Sequence, residues 1–388
     1  MVGLTGEDEP ERAAWRALQQ AAPGDEQLRE LLAQLAVSRE LGDRHGEAQT
    51  LSNLGYVYYR QGRWEDALGA YKRSLTTKRE LGDRHGEART LTNLGLVYAE
   101  QGRFEDAIAA HQHGLTTDRE LGDRHGEAQT LGNLGYVYAE LGRREDALGA
   151  YEQSLTTMRE LGDRHGEART LTNLGNVYAE QGRFEDAIDA YQHGLTTDRE
   201  LGDRHDEAQT LTNLGVVYAE QGRWEDAIDA YKRSLTTKRE LGDRHGEAQT
   251  LTNIGNVYHL QRRWEDAIDA YEQSLTPMRE LGDRLGEART LTNLGTVYAK
   301  QGRWEDAIDA FEHSLTTNRE LGDRHGEAQT LMNFGLALRS TRHEGDAARH
   351  LADALAIFDD LAEPQPQQIR ARLKPASRAS WWRRGRQR

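Results

Sequence analysis

Histidine returns at nearly every fortieth position of this sequence, and a row of imidazoles suggests metal binding or pH sensing. Neighbouring copies would be separated by one structural repeat, about 10 Å if the repeats are packed helices, whereas a zinc ion needs ligands about 2 Å away. The spacing therefore disfavours a shared metal ion, and we predict no metal site. The row consists of His45, His85, His125, His165, His205, His245 and His325, with Leu285 in the remaining place.

Pairs of carboxylates recur in the same way, and paired acids are typical of general acid–base catalysis. Glu65–Asp66 and Glu105–Asp106 are the first two pairs. They occupy predicted helix starts, where the helix dipole favours negative charge. A catalytic site needs unlike residues that converge on one point, and the sequence contains no glycine-rich phosphate loop, nucleophile elbow or zinc-ligand spacing. We therefore predict a protein that is not an enzyme and that uses no cofactor.

Asparagine forms a third column, in the middle of an otherwise helical pattern. Each copy costs up to about 0.7 kcal/mol of helix stability relative to alanine. A side-chain amide offers donors and an acceptor, which suits the backbone of an extended peptide. Alternatively, each amide bonds to the neighbouring repeat and maintains the stacking. The column consists of Asn53, Asn93, Asn133, Asn173, Asn213, Asn253, Asn293 and Asn333.

The element that must position these columns is a repeat of forty residues. The segment Leu-Gly-Asp-Arg-His-Gly-Glu-Ala begins at Leu41 and returns, nearly unchanged, as far as Leu321. A chain that repeats one supersecondary unit buries each unit on the next and forms a solenoid. We therefore expect one elongated domain with its function on an extended surface.

Two helices are predicted in each unit, because apolar and small residues recur at the spacing of a single helix face. Between the helices, Gly222 is predicted to adopt the positive φ that ends a helix, and Asp243 is predicted to cap the helix of the next unit. In one unit, the face of helix A consists of Ala208, Leu211, Leu214, Gly215 and Tyr218, and the face of helix B consists of Trp224, Ala227, Ile228, Tyr231, Ser234, Leu235 and Leu241.

The unit resembles the tetratricopeptide repeat, and the resemblance extends over about residues 47–361, eight times. It implies an all-α, right-handed superhelical solenoid of about eight helix–turn–helix repeats with degenerate capping units. The usual repeat has 34 residues and a proline that closes helix B, whereas Arg239 occupies that place here. Forty-residue units of this kind are similar to those of kinesin light chains, Pins-type polarity adaptors and bacterial regulators. The matching residues are Leu214, Gly215, Tyr218, Gly222, Trp224, Ala227, Tyr231 and Leu235.

In this family the flank that carries the asparagines lines a concave groove, so the resemblance implies a binding role for them. Arg89, Arg169 and Arg289 each precede an asparagine by four residues and share its helix face. Repeats of this family that clamp a terminal carboxylate place a cation and an asparagine at these two positions. The match is partial, because the family's cation is lysine and further basic residues follow in the third repeat. A polar groove with solvated arginines is the alternative.

The units differ from one another in only a few columns, and one of these lies three residues after the asparagines. Such variation either selects the side chains of a ligand or reflects drift at solvated positions. This column consists of Tyr56, Leu96, Tyr136, Asn176, Val216, Asn256, Thr296 and Leu336.

Charge separates the array from its C-terminus. The chain has a formal net charge of −15, and residues 370–388 contain eight Lys or Arg and no acid, which leaves −23 on residues 1–369. The basic tail either docks on its own or a neighbour's acidic array, contacts nucleic acid or an anionic membrane, or is disordered. The candidate contact residues of the tail are Trp381, Trp382, Arg383 and Arg384.

We predict three segments: degenerate capping helices over residues 1–45, tandem repeats over 46–361, and a proline-containing linker with the basic tail over 362–388. In the first segment, Asp25 is expected to cap a helix, and Pro10 to start another that turns Trp15 and Leu18 inward. The sequence has no cysteine, no apolar run of about 20 residues and no signal-like N-terminus. We therefore expect a cytoplasmic protein.

Together these patterns predict a non-catalytic scaffold or adaptor that binds a peptide or protein segment in a concave groove. One alternative is a regulatory sensor whose basic tail contacts nucleic acid or a membrane. Another is a self-assembling structural array, with self-association through the tail. The identity of the partner, and whether it binds as a strand or a helix, does not follow from the residues.

Overall fold

The computed structural model describes residues 26–339 and 344–361, and these residues form 17 α-helices and no strand. Packing divides the chain into two compact units, residues 1–201 and residues 202–388. The helices of the first unit are α1 (Glu26–Glu40), α2 (Arg44–Arg60), α3 (Trp64–Leu81), α4 (Arg84–Glu100), α5 (Phe104–Leu121), α6 (Arg124–Glu140), α7 (Arg144–Leu161), α8 (Arg164–Glu180) and α9 (Phe184–Leu201). Those of the second unit are α10 (Arg204–Glu220), α11 (Trp224–Leu241), α12 (Arg244–Leu260), α13 (Trp264–Leu281), α14 (Arg284–Gln301), α15 (Trp304–Leu321), α16 (Arg324–Arg339) and α17 (Glu344–Asp360).

These helices form hairpins that stack in series within each unit. Each even-numbered helix packs along the odd-numbered helix that follows it, and these are the predicted helices A and B. Within a unit, helix B of one hairpin packs on helix A of the next, as α3 does on α4 and α11 on α12. The described residues contain eight such hairpins. The prediction of an all-α solenoid built from about eight helix–turn–helix repeats is therefore confirmed.

Both kinds of helix end where their sequence requires. The backbone N–H of Gly246 donates to Asp243 Oδ1 at 2.8 Å, so Asp243 caps α12 as predicted. Gly222, in the turn between α10 and α11, has φ 72°, as predicted for a residue that ends a helix. Helix B also ends at a left-handed glycine, for example Gly242 with φ 70°. The two turns of a repeat therefore depend on glycine, which adopts this conformation at little steric cost.

One turn departs from this pattern and yields a stability prediction. Arg262 occupies the place of Gly222 and adopts φ 60°, the one positive φ of a non-glycine residue in the described part of the chain. Its side chain is exposed. We expect Arg262→Gly to raise the free energy of local opening of the α12–α13 hairpin by about 1 kcal/mol, because a Cβ is unfavourable in this conformation. Hydrogen exchange checks this, and the reciprocal Gly222→Arg should lower the value for α10–α11; equal exchange in parent and variants would contradict it.

The buried faces agree with the predicted ones, with one exception. Ala208, Leu211 and Leu214 are buried in α10, and a Cβ added to Gly215 would lie 2.6 Å from Cε1 of Tyr231. Because Gly215 has no side chain, the Tyr231 ring of helix B packs directly against helix A at this position. The prediction for Leu241 was wrong: it is 45% exposed. Leu241 is the last residue of α11, directly before the turn at Gly242, and so extends beyond the packed part of the hairpin.

The nearly invariant repeat segment also supplies a network of ion pairs. Between hairpins, Arg79 Nε lies 2.7 Å from Glu87 Oε1. Within a hairpin, Arg84 at the start of helix A pairs with Glu120 at the end of helix B. The distance from Arg84 Nη2 to Glu120 Oε2 is 2.6 Å. Arg84 also contacts Glu87 at 3.1 Å. The recurrence of Asp, Arg and Glu in the repeat segment is therefore explained by capping and by ion pairs within and between hairpins.

The ends of the described array partly test the expected capping units. In α1, the residues Leu28, Leu31, Leu32 and Leu35 are buried on one face, as predicted. Pro10, Trp15, Leu18 and Asp25 lie outside the described residues, as does the tail. The first repeated helix, α2, begins at Arg44, just before the proposed boundary at residues 45 and 46. Within residues 26–339 and 344–361, no helix combines the length and the hydropathy needed to cross a bilayer.

Candidate ligand-binding cleft

Four successive A helices of the first unit border one cleft, with a volume of about 720 Å³. We call it the helix A cleft. It contains four of the predicted binding residues, Arg89 and Asn93 on α4, Asn133 on α6 and Arg169 on α8. The rest of its lining includes His45, Gln49, Asp83, His85, Thr92, Leu96, Asp118, Asp123, His125, Gln129 and Thr130. Residues as far apart in sequence as His45 and Arg169 therefore face the same space.

The asparagines of this cleft are available to a ligand. Asn93 and Asn133 are half-buried, and neither side chain forms a hydrogen bond with any residue that the structure describes. Neither amide therefore forms a stacking bond to a described residue of a neighbouring hairpin. Outside the cleft, the Nδ2 group of Asn293 donates to Asn256 Oδ1 of the preceding hairpin at 3.3 Å, which is the stacking role. The alternative role, a bond to the neighbouring repeat, thus applies to Asn293 and Asn256.

The other predicted asparagines are placed differently. Asn53 Oδ1 accepts from Gln49 at 3.2 Å, and Asn213 Oδ1 accepts from Gln209 at 3.1 Å, both within one helix. The members of the prediction that do not line the helix A cleft are Asn53, Asn173, Asn213, Asn253, Asn293, Asn333 and Arg289. Trp381, Trp382, Arg383 and Arg384 lie outside the described residues.

The cations of the cleft are more available than its acids. Arg169 is exposed and has no ion pair or hydrogen bond in the part of the chain that is described, and Arg89 donates to Gln49 Oε1 at 3.3 Å. By contrast, Asp83 and Asp123 accept the backbone N–H groups that they cap, at 2.9 and 2.8 Å. Each of these two acids thus uses one oxygen in capping, whereas the Arg169 guanidinium has no acidic partner among the described residues.

Histidines at the rim were not among the predicted binding residues. His45, His85 and His125 all line the cleft, and His85 Nδ1 lies 3.6 Å from Asp123 Oδ2. A signal was present in the sequence, because His85, Arg89 and Asn93 follow one another at intervals of four residues and so share a helix face. Within residues 26–339 and 344–361, no group of three potential metal ligands lies close together.

A buried polar column that borders the cleft at Asp118 was also missed. Asp118 is 4% exposed and accepts from Thr130 Oγ1 at 3.1 Å, and burial raises the pKa of its carboxyl. One repeat earlier, Lys78 is 2% exposed and donates to the hydroxyls of Ser52 and Thr90 at 2.8 and 2.9 Å. Burial, followed by the nearby Arg89, lowers the pKa of Lys78 to about 8. Equivalent positions hold Met158 and Met278. The residue buried between neighbouring hairpins is therefore basic, acidic or apolar, depending on the repeat.

The variable column has a structural role at two positions. Tyr191 and Tyr271 donate their hydroxyl hydrogens to Asn176 Oδ1 and Asn256 Oδ1, each at 2.7 Å. These asparagines therefore connect helix A to helix B of the same hairpin by a hydrogen bond. This role is neither ligand selection nor drift at a solvated position. Leu96, in the same column, lines the helix A cleft.

A sequence profile of the tetratricopeptide repeat matches residues 25–80, 46–120, 86–160, 126–200, 167–240, 206–280 and 286–360. No curated protein matches the sequence. Among solved structures, the chain is similar to a signal transduction ATPase with numerous domains and a tetratricopeptide repeat sensor from Pyrococcus horikoshii (15% identity, 95% of this chain, 55% of that chain, TM-score 0.68).

Two further solved structures are similar as well. One is the apo form of the quorum sensor NprR from B. thuringiensis (15% identity, 91% of this chain, 100% of that chain, TM-score 0.58). The other is the Rap conjugation gene regulator of the plasmid pLS20, in complex with the Phr* peptide (17% identity, 82% of this chain, 91% of that chain, TM-score 0.53). At these identities the likeness shows the fold alone.

Proposed function

Since this chain belongs to the tetratricopeptide repeat family, we propose that it is a non-catalytic scaffold that binds an extended segment of a partner protein in the helix A cleft. The observation that carries this proposal is the convergence of Arg89, Asn93, Asn133 and Arg169 on one cleft. These side chains come from three successive hairpins, as recognition of an extended segment requires.

In this proposal the two amides bind the backbone of the ligand, and the two arginines bind its acidic side chains or its terminal carboxylate. Guanidinium groups suit carboxylates because their donors form a planar fork. Helices on both sides hold the cleft in shape, so the ligand carries most of the ordering entropy. The peptide present in the Rap regulator structure supports a peptide ligand here. The sensor and self-assembly functions stay predictions.

The experiment begins with peptides selected on the wild-type chain from a display library of random dodecamers. Their affinities are then measured by fluorescence anisotropy for a cleft variant, Arg89→Ala with Asn93→Ala, Asn133→Ala and Arg169→Ala. We expect at least about a tenfold loss of affinity, since removing charged hydrogen-bond partners costs on the order of 1.5–3 kcal/mol each.

A control of the same size removes one arginine and three asparagines from the second unit, where Arg289 is the one arginine of this column. It is Asn213→Ala with Asn253→Ala, Arg289→Ala and Asn293→Ala. Its affinity for the selected peptides should stay within about twofold of wild type, the scale of surface substitutions that touch no ligand. Equal losses in the two variants, or full affinity in the cleft variant, would remove the helix A cleft as the binding site.

A further inference from the structure

Within the second unit, an aromatic side chain closes the groove between the α12–α13 and α14–α15 hairpins. Tyr298 of α14 donates its hydroxyl hydrogen to Glu272 Oε1 at 2.7 Å. The guanidinium carbon of Arg303 lies 4.3 Å from the centroid of the Tyr298 ring. The groove left beside this ring has a volume of about 460 Å³.

The next junction, between α14–α15 and α16–α17, lacks this ring, because Leu338 occupies the tyrosine position. The cleft there has a volume of about 970 Å³. Ile308 is only partly buried, whereas its counterpart Ile268 in the preceding hairpin is 5% exposed. We call this the final cleft, and its principal lining residues are Trp304, Ile308, Glu312, Phe334, Leu338 and His350.

The charges around the final cleft leave one acid without a partner. Arg319 Nε lies 2.7 Å from Glu327 Oε1, and Arg349 pairs with Asp346. Glu312, the counterpart of Glu272, has no side-chain hydrogen bond with any described residue. A complementary occupant therefore brings a hydrogen-bond donor to the carboxylate of Glu312.

The walls of the final cleft are mainly aromatic and apolar. The ring of Phe334 stacks between Phe311 and His350, with centroid separations of 5.0 and 4.6 Å. Trp304 and Leu338 add apolar surface. An aromatic ring with an N–H or O–H group would replace both the bulk and the donor of the missing tyrosine. Tryptophan fits this description, since its indole is a large apolar surface with one donor.

We propose that the final cleft is the docking site of the chain's own Trp381–Trp382 segment. Trp381 follows Leu361 by twenty residues. Twenty residues reach at most about 70 Å when fully extended, whereas His350 lies about 17 Å from Leu361 along α17. The segment is therefore long enough to reach the cleft, and Arg383 and Arg384 would bring positive charge towards Glu312. This inference concerns a different surface from the helix A cleft and does not depend on the proposed function.

Hydrogen exchange on the full chain tests this docking. Amides of α16 and of the first half of α17 should exchange at least about threefold faster in Trp381→Ala/Trp382→Ala than in wild type, because a docked segment suppresses local opening. The Leu338→Tyr variant, which restores the ring found in the preceding hairpins, should remove this difference by filling the site. Arg383→Ala/Arg384→Ala keeps both indoles and should retain most of the protection.

Each other outcome overturns the proposal. Unchanged exchange on removal of both indoles would show that the tail does not dock there, and this variant leaves the hairpins untouched. A tail effect that persists in Leu338→Tyr would place the contact elsewhere. Protection that rises with protein concentration, together with a dimer mass in light scattering, would assign the cleft to a second copy and not to the same chain.

Discussion

Acidification from pH 7 to pH 4 should destabilise the wild-type chain by about 3 kcal/mol more than it destabilises the His111→Tyr variant. His111 is completely buried in α5, at a position where Tyr71, Tyr151 and Tyr231 stand in other hairpins. Neither of its ring nitrogens has a hydrogen-bond partner among the described residues. Burial lowers the pKa of His111 to about 4.

The sign follows from proton binding in the two states. The unfolded chain takes up a proton at His111 below about pH 6.5, whereas the folded chain keeps the ring neutral until about pH 4. Between these values the unfolded state binds more protons, so stability falls as the pH falls. The full contribution is present above about pH 6.5, and the loss becomes complete below about pH 4.

Urea unfolding of the two proteins at a series of pH values checks this prediction, because titrations elsewhere in the chain cancel in the difference. His113→Tyr is a matched control in the same helix, since His113 is exposed. We expect the pH dependence of its stability difference from wild type to be smaller than that of His111→Tyr, because His113 is exposed. If the wild-type and His111→Tyr curves run parallel, the buried imidazole is not the source of acid sensitivity.

Replacing Pro277 by threonine should stabilise the α12–α13 hairpin by about 3 kcal/mol, the usual cost of a proline in a helix interior. Pro277 lies inside α13, where the other regular B helices have threonine, for example Thr237. It has no N–H to donate to the carbonyl four residues earlier. Ser274 also differs from its counterparts: its hydroxyl donates to the Tyr271 carbonyl at 2.7 Å, within its own helix.

In other hairpins the equivalent serine donates across the hairpin, as Ser234 does to the Ala208 carbonyl at 2.7 Å. We therefore expect Pro277→Thr to restore such a bond from Ser274 in addition to the backbone bond. Opening free energies from hydrogen exchange of α12 and α13 measure the gain. The reciprocal Thr237→Pro should destabilise α10–α11 by a similar amount. Unchanged exchange in Pro277→Thr would mean that the helix accommodates proline without cost.

The repeat, the hairpins and their caps were predictable because their causes are local. Gly222 and Asp243 act on their own turns, and the apolar faces follow from helix periodicity. Lys78 and Asp118 were not recognised as buried, because a polar residue on helix B looks solvated until the next hairpin is packed over it. The final cleft is similar: Leu338 is visible as an exception in the sequence, but the space that it leaves depends on three helices.

The helix A cleft was predictable in composition but not in extent. The columns of asparagine and arginine identified the correct helix face, yet all eight units carry the asparagine. To predict that Asn93 and Asn133 line the cleft and Asn53 does not, one needs to know the angles between successive hairpins. One also needs to know that Gln49 binds the side chain of Asn53. The angles are not encoded in the spacing of one helix. Gln49 and Asn53 do have that spacing, but Gln129 and Asn133 share it without forming the bond.

The ion pairs between hairpins have a consequence for the gene. Arg79 with Glu87 and Arg159 with Glu167 are the same contact in different places, at 2.7 and 2.9 Å. An in-frame recombination that deletes or adds forty residues would therefore create a junction with the same Arg–Glu ion pair between helix B of one hairpin and helix A of the next. No new complementary surface has to evolve. The length of the array is consequently easy to change in whole units, whereas the clefts, which depend on particular neighbours, are not.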